Sequence, residues 1–460
     1  MILKCISRIQ RVVNRRFLMF LTGSMMVLSA FAGIGQRFPA ERKVIKDPVT
    51  GAKLVFLTTA PNMGDQKIYQ THNQWTADSQ WLVFRSNRVK GEAMAVHEKT
   101  GALVQVTEGG YMGMLNLARR SMKLYFMRAV QRDSRAIQVI EVDLERLFSD
   151  SEKGKLQAPE VYQRICGTTP ESMGAGGDMA LDADEEWVYF RVGRQEAARH
   201  LADSVKPYEN YGPRHMGAGP SGIAAMHLKT GATKHVVSVP FQVGHIQTNP
   251  WVPGELVFCW ETGGKAPQRT WTVRSDGSEL RPVYRESDRD WVTHEAVITR
   301  DEVAMAIMGH RPIREPGTVV EHGEADPTNP GQESGWGEAG TRESPTGLAV
   351  VNLRTRAIQL VGQPTTGSGF WHVAGSSDGR WVAGDDFARN IYLIDRQSGC
   401  MHLLSTGHKP TAADHPHPTF SPDGTKIQIQ SAMLSEDGRS MNICIIHLPK
   451  QLLKRTQLTK

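Results

Sequence analysis

Polar and apolar positions along this chain fall into a short motif that recurs seven times. A polar turn leads into an alternating or continuous apolar run carrying aromatic or β-branched residues. The copies are TADSQWLVFRS (76–86), LARRSMKLYFMR (117–128), LDADEEWVYFRV (181–192), WVPGELVFCWE (251–261), ITRDEVAMAIM (298–308), SSDGRWVAGDD (376–386) and FSPDGTKIQIQ (420–430). Each predicts a β-hairpin. A second motif follows most of them: HEKTGALVQVT (97–107), HLKTGATKHVV (227–237), RSDGSELRPVY (274–284) and DRQSGCMHLLS (395–405). Here one strand ends, a Thr-Gly or Ser-Gly turn follows, and another strand begins. Together the two motifs give four strands per repeat. Four-stranded repeats of about 40–45 residues predict propeller blades. The expected fold is therefore all-β, a seven-bladed β-propeller spanning residues 44–455. A sandwich or barrel is the alternative.

The pattern also predicts how the ring closes. VTGAKLVFLTT (49–59) is a second motif with no hairpin before it, and the last repeat ends at NICIIHL without a clear fourth strand. The N-terminal segment around Lys53–Thr58 is expected to supply that strand, which removes exposed sheet edges. The Gly/Glu/Pro-rich stretch at 314–344 is too polar for a core and predicts a long surface loop.

Composition and charge change the picture in one place. Lys4, Arg8, Arg11, Arg15 and Arg16 precede an apolar run from Phe17, and Ala30-Phe31-Ala32 offers a small-x-small cleavage site. Residues 1–32 therefore predict a secretory signal peptide and a secreted or periplasmic protein. An uncleaved anchor is the alternative. Those residues hold five basic groups and no acidic ones, so their removal lowers the net charge from +6 to +1. No nucleic-acid-binding field is left. No membrane association is expected after cleavage, and no obligate protein partner is evident. Cys166, Cys259, Cys400 and Cys444 are scattered without CxxC spacing, which argues against a zinc-finger or disulfide framework.

The candidate chemistry lies in histidines. In a propeller the first strand of each blade lines the central channel. Seven to nine residues before the turn of the first motif, five blades carry His72, His245, His294, His372 and His417. His415 lies two residues before His417 and faces the same side of its strand. Six of the chain's 16 histidines are thus expected to converge on one channel. Imidazoles ligate borderline divalent metals, and neutral His is also a general base. Such a channel end suits an anionic substrate. Arg85, Arg88, Arg128, Arg191, Arg194, Arg214 and Arg311 fall near blade openings, where arginines can hold carboxylates. GSSDG (375–379) fits the nucleophile pattern GxSxG, but it is also the hairpin turn of its blade, and that reading is preferred.

VGHIQTNPW, THEAVITRDE, HVAGSSDGRWVAGDD and HPHPTFSPDG, in this order, resemble the oligogalacturonate lyases, seven-bladed propellers of pectin breakdown. The resemblance covers most of the chain after residue 32 and is strongest from about 240 to 430. It implies cleavage of oligogalacturonides by β-elimination with a divalent metal, Mn²⁺ in type. It implies His294, His415 and His417 as metal ligands and His245 as the base. His72, His372 and Arg214 are left as substrate-binding or channel-lining candidates. A fourth family ligand, a Gln, falls on Ala412, and the family's catalytic Arg falls near Ser221-Gly222. Two other readings stay open: a non-catalytic carbohydrate-binding or scaffold propeller, and a lyase for another uronate-containing glycan.

Overall fold

The computed structural model describes residues 33–131, 134–209, 216–264, 266–286, 290–308, 347–362 and 369–454. The expected signal peptide, the expected loop at 314–344, Arg214 and Arg311 lie outside them.

The two recurring motifs fold as their turn chemistry dictates. In blades 1, 6 and 7 the first turn is closed by a hydroxyl residue: Thr76, Ser376 and Ser421 donate to Asp78, Asp378 and Asp423 at 2.6, 2.5 and 2.5 Å. The same hydroxyls accept from the backbone N–H of Trp81, Trp381 and Lys426, which open the next strand. Such local side-chain bonds offer the chain an alternative to continuing the strand, so it turns. The second motif places Gly101, Gly231 and Gly399 at φ of 76, 72 and 69°, a left-handed step that glycine makes without steric cost.

Seven antiparallel sheets result. Blades 2 to 6 have four strands each and span 112–168, 176–241, 243–282, 291–362 and 370–405. Blade 1 (66–105) gains Arg37–Phe38 as a fifth strand. Blade 7 contributes Thr419–Phe420, Lys426–Ser431 and Asn442–His447. Lys53–Phe56 pairs with Asn442–His447 as its fourth strand, with Leu54 opposite Ile446, and Lys43–Lys46 adds a fifth. Two insertions that the strand pattern does not announce are helical. Leu144–Glu152 interrupts blade 2, its N-terminus capped by Asp143, and Arg194–His200 interrupts blade 3. Among the described residues, no helix is long and apolar enough to cross a membrane.

The core lies between blades. Blade 7 buries Leu54, Phe56, Ile427, Ile429 and Cys444 against Trp381, Ala383 and Leu393 of blade 6. Its opposite face buries Val55, Ile443 and Ile445 against Leu82, Phe84 and Met94 of blade 1. This is why the strands read as continuous apolar runs: alternate residues serve two interfaces. Each such side chain contributes about 1.5–3 kcal/mol on burial. Cys166, Cys259 and Cys444 are buried free thiols, while Cys400 is free and exposed.

Candidate active site

First strands of neighbouring blades pack on one another around the centre of the ring. In blades 2 to 6 each of these strands breaks its pairing register close to the same level. His245 lies between Gly244, paired with Cys259, and Gln247, paired with Val257. His294 lies between Thr293, paired with Ala306, and Ala296, paired with Ala304. A residue is left over in each case, which is a β-bulge, and bulges re-aim side chains. His245, His294 and His417 all adopt left-handed backbone, with φ of 51, 53 and 52°. Left-handed backbone is uncommon for a residue with a side chain, and its clustering points to function.

The bulges deliver His245, His294 and His372, and the segment before the first strand of blade 7 delivers His417, to the wall of one cavity of about 390 Å³. His372 packs between two of the others, with ring centroids 3.7 Å from His417 and 4.1 Å from His294. His415 stands behind this wall, 5.3 Å from His372, against Trp371 and Phe387. His72 is not brought to this cavity. Its Nε2 bonds the Met179 carbonyl at 2.8 Å, its Nδ1 contacts the Thr71 hydroxyl at 2.8 Å, and it lines a separate small cavity with Asn116 and Arg119.

A fully buried carboxylate organises one side of the site. Asp385 Oδ2 lies 3.0 Å from His415 Nδ1 and 3.3 Å from His372 Nδ1, while its Oδ1 accepts the His372 backbone N–H at 2.6 Å. Burial opposes charge on Asp385, but the two imidazoles outweigh it and hold the carboxyl far below its usual range. A carboxylate on Nδ1–H fixes the tautomer and leaves Nε2 as the donor atom, the usual support for a ligating histidine. Burial, reinforced by His417, pushes the His372 pKa down to about 3. Burial, reinforced by His372, holds His294 well below its ordinary value. His294 Nδ1 contacts the Thr293 hydroxyl at 2.9 Å. These are neutral imidazoles at physiological pH, the form that binds metal.

The other side is built around His245. Its Nδ1 lies 3.3 Å from Glu295 Oε1 and 3.3 Å from Arg269 Nη2, and its Nε2 lies 3.4 Å from Glu261 Oε2. Arg269 in turn contacts Glu295 at 3.2 Å and Glu261 at 3.6 Å. Burial disfavours the imidazolium of His245, yet Glu295 more than offsets it and the pKa is raised. Burial opposes charge on Glu295 as well, but Arg269 leads the interactions that lower its pKa to about 2. Tyr69 sits between the two sides, 5.1 Å from His245 and 5.2 Å from His417, ring to ring.

Sequence reasoning missed Asp385, Glu295, Arg269, Tyr69, Lys67 and Asp414. Two of them had a usable signal: Glu295 follows His294 directly, and Asp414 precedes His415. Lys67 is buried in the cavity wall, its Nζ donating to Thr419 Oγ1 at 2.8 Å and the Ile68 carbonyl at 3.0 Å. Burial pushes its pKa well down. Of the arginines read from sequence, Arg85 lines this cavity, Arg88 pairs with Glu41 and Asp65, and Arg191 and Arg194 line a separate surface pocket.

Two groups of described residues bring three ligand atoms within 4.8 Å of one another: His372, Asp385 and His415, and His245, Cys259 and Glu295. The first fits a divalent cation, with two imidazoles and an ionised carboxylate in one buried cluster. The second fits less well, because burial pushes the Cys259 thiol far up and Arg269 already occupies Glu295.

No protein-family model matches this sequence, and a search of curated proteins gives no match. Among solved structures, the chain is similar to an oligogalacturonate lyase in complex with manganese, at 17% identity and a TM-score of 0.66 over 92% of this chain and 100% of that one. It is also similar to the oligogalacturonate lyase of Vibrio parahaemolyticus, at 15% identity and a TM-score of 0.65 over 91% and 100%. The fold of this chain, a seven-bladed β-propeller, is the fold of those oligogalacturonate lyases.

Proposed function

We propose that this chain is a secreted, oligogalacturonate-lyase-like enzyme that cleaves acidic oligosaccharides by metal-assisted β-elimination. The observation that carries the reading is the meeting of His245 with the His294–His372–His417 wall in one cavity of about 390 Å³. His294, His415 and His417 would hold the metal, with Asp385 orienting His415. Mn²⁺ is the ion expected. A bound divalent ion would supply Lewis-acid stabilisation of negative charge on the uronate carboxylate. Arg85 and Lys67 give the cavity wall positive or proton-donating groups suited to an anionic sugar. Glu295 and Arg269 hold His245 at Nδ1, and Nε2 lies 3.4 Å from Glu261, a residue of the cavity wall. His245 Nε2 takes the proton α to the carboxylate, the C5–H electron pair forms the C4–C5 double bond, the C4–O glycosidic bond breaks, and the departing oxygen takes a proton from solvent. The products are a shortened uronide and a 4,5-unsaturated sugar.

A second reading has an observation of its own. His245 lies between two carboxylates, Glu261 and Glu295, which favours the protonated ring over the base. A binding propeller would retain such a charged cluster without turnover. Incubation with oligogalacturonides and Mn²⁺, followed by the ultraviolet absorbance of the unsaturated product, tests the two. Growth of the band supports the lyase. Saturable binding with no band supports the binding module.

A further inference from the structure

We propose that the pocket on blade 3 lined by Arg191 and Arg194 is a second carboxylate subsite, which holds a uronate unit of the same oligosaccharide beyond the sugars that flank the cleaved linkage. The inference rests on the acidic-oligosaccharide reading above and adds a requirement on the length and charge of the substrate. The pocket holds about 380 Å³, nearly the volume of the histidine cavity, and its lining includes both arginines and no carboxylate. A volume of that order suits a small ligand. Arg194 is exposed and makes no hydrogen bond or ion pair among the described residues. Arg191 makes one bond, from Nη1 to the Val243 carbonyl at 3.4 Å, and has no carboxylate partner among the described residues. Either alone would be an ordinary solvated charge. Ser221 adds an independent observation. It is 5% exposed and lines the same pocket, yet its hydroxyl has no hydrogen-bond partner. Buried polar groups are nearly always satisfied, so an orphaned hydroxyl in the wall of an arginine pocket points to a ligand. Guanidinium groups bind carboxylates through paired N–H donors.

Glycines keep the pocket open. A Cβ on Gly177 would stand 2.7 Å from Arg191 Nη2, so a side chain there would displace the guanidinium. A Cβ on Gly176 would meet no atom within 4 Å, which leaves the backbone of the pocket accessible to a sugar ring. The pocket and the histidine cavity share a wall. Gln242 lines the pocket, and its carbonyl accepts at 3.0 Å the backbone N–H of Glu261, which lines the cavity. Gly217 is flanked by Met216 of the cavity and Ala218 of the pocket, and its carbonyl accepts the Gln242 N–H at 3.2 Å. The Val243 carbonyl that Arg191 meets is two residues from His245. A uronide repeats its carboxylate at every sugar, so a chain with one unit on the histidine wall brings a later carboxylate across this wall to the arginines.

Calorimetry of galacturonide dimer and tetramer binding tests the proposal, on the His245→Ala protein with Mn²⁺ so that the oligomers stay intact. The tetramer should bind more tightly than the dimer. Arg191→Gln/Arg194→Gln should weaken the tetramer about tenfold and leave the dimer unchanged. Gly176→Val, which fills the pocket and removes no charge, should act on the tetramer in the same way. A methyl-esterified tetramer should gain nothing over an esterified dimer. If the double variant fails to fold, Arg194→Gln and Gly176→Val carry the test, since one side chain is exposed and the other enters open space. Equal losses for dimer and tetramer would reduce the arginines to a general field and overturn the proposal. Tetramer binding that none of these substitutions changes overturns it as well. So does inorganic phosphate that binds at these arginines without competing with the tetramer. Length-dependent binding lost in the variants, with no unsaturated product from the wild type, upholds the subsite and sinks only the lyase. A wild type that cleaves dimer and tetramer with equal efficiency leaves the lyase standing and overturns the subsite. Binding of no uronide at all overturns both.

Discussion

Blades 2 and 3 differ from blades 4, 5 and 7 at one structural position. Where the first strand breaks register, blades 2 and 3 carry Gly113 and Gly177, at φ of 66 and 78°. Blades 4 and 5 carry His245 and His294 there, and blade 7 carries His417 just before its first strand, all with nearly the same backbone. Glycine adopts this conformation freely. A residue with a side chain held there costs of order 1–3 kcal/mol. One arc of the ring thus has the inexpensive solution to the bulge, and the other has histidine at the same bend. The difference teaches that the bend belongs to the fold and the imidazoles belong to the site.

Breaking the histidine arc at its proposed base should have the largest effect. His245→Ala is expected to lower turnover of oligogalacturonides about 10²–10⁴-fold while metal content stays at the wild-type level. Loss of metal in that variant would instead make His245 a ligand. Breaking the glycine arc should cost stability. A Cβ on Gly113 would stand 2.2 Å from the Gly177 carbonyl, so Gly113→Ala meets both a backbone clash and a disfavoured φ. About 2–4 kcal/mol of destabilisation is expected, measured by denaturant unfolding. An unchanged midpoint would mean that the bend is not rigid.

Exchanging the arcs sharpens the comparison further. His294→Gly should alter the stability of the metal-free protein by less than about 1 kcal/mol, because relief of the left-handed strain offsets the added chain entropy of glycine. The same variant should lose Mn²⁺ binding by titration calorimetry. The smallest effect expected is on pH dependence. Glu295 raises the His245 pKa against burial, so the ascending limb of kcat/KM should lie above the ordinary His value of about 6.5. Glu295→Gln should move that limb to lower pH. The sign for stability is opposite in Glu295 itself: its folded pKa of about 2 lies below the ordinary carboxyl value of 4.5. Its contribution is present above that value and is lost as pH falls toward 2.

Much of the architecture was legible before any coordinates. Ser, Asp and Gly in the turns and apolar runs between them encode hairpins locally, which is why all seven blades could be counted. The segment around Lys53 could be placed in blade 7 because it repeats a motif whose first half is missing. The helices Leu144–Glu152 and Arg194–His200 and the extra strands Arg37–Phe38 and Lys43–Lys46 carry no such repeat. In the site, the spacing rule brought His245, His294, His372 and His417 to one cavity. His72 shares the spacing and lines a separate small cavity with the first-strand residues Asn116, Leu181 and Gln247. The spacing rule was silent on Asp385 and Arg269, whose partners come from other strands and leave no periodic trace in the sequence. It was silent on the bulges as well, since a register break is a property of two strands and not of one.

The most direct measurement is a side-by-side ultraviolet assay of the wild type on oligogalacturonides with Mn²⁺, with chelator, and as His245→Ala with Mn²⁺. The expected result is a rising band from the unsaturated product in the first case only, with His245→Ala still binding Mn²⁺. A wild type that holds Mn²⁺ at His294, His415 and His417 and yet produces no band from any uronide would contradict the lyase assignment.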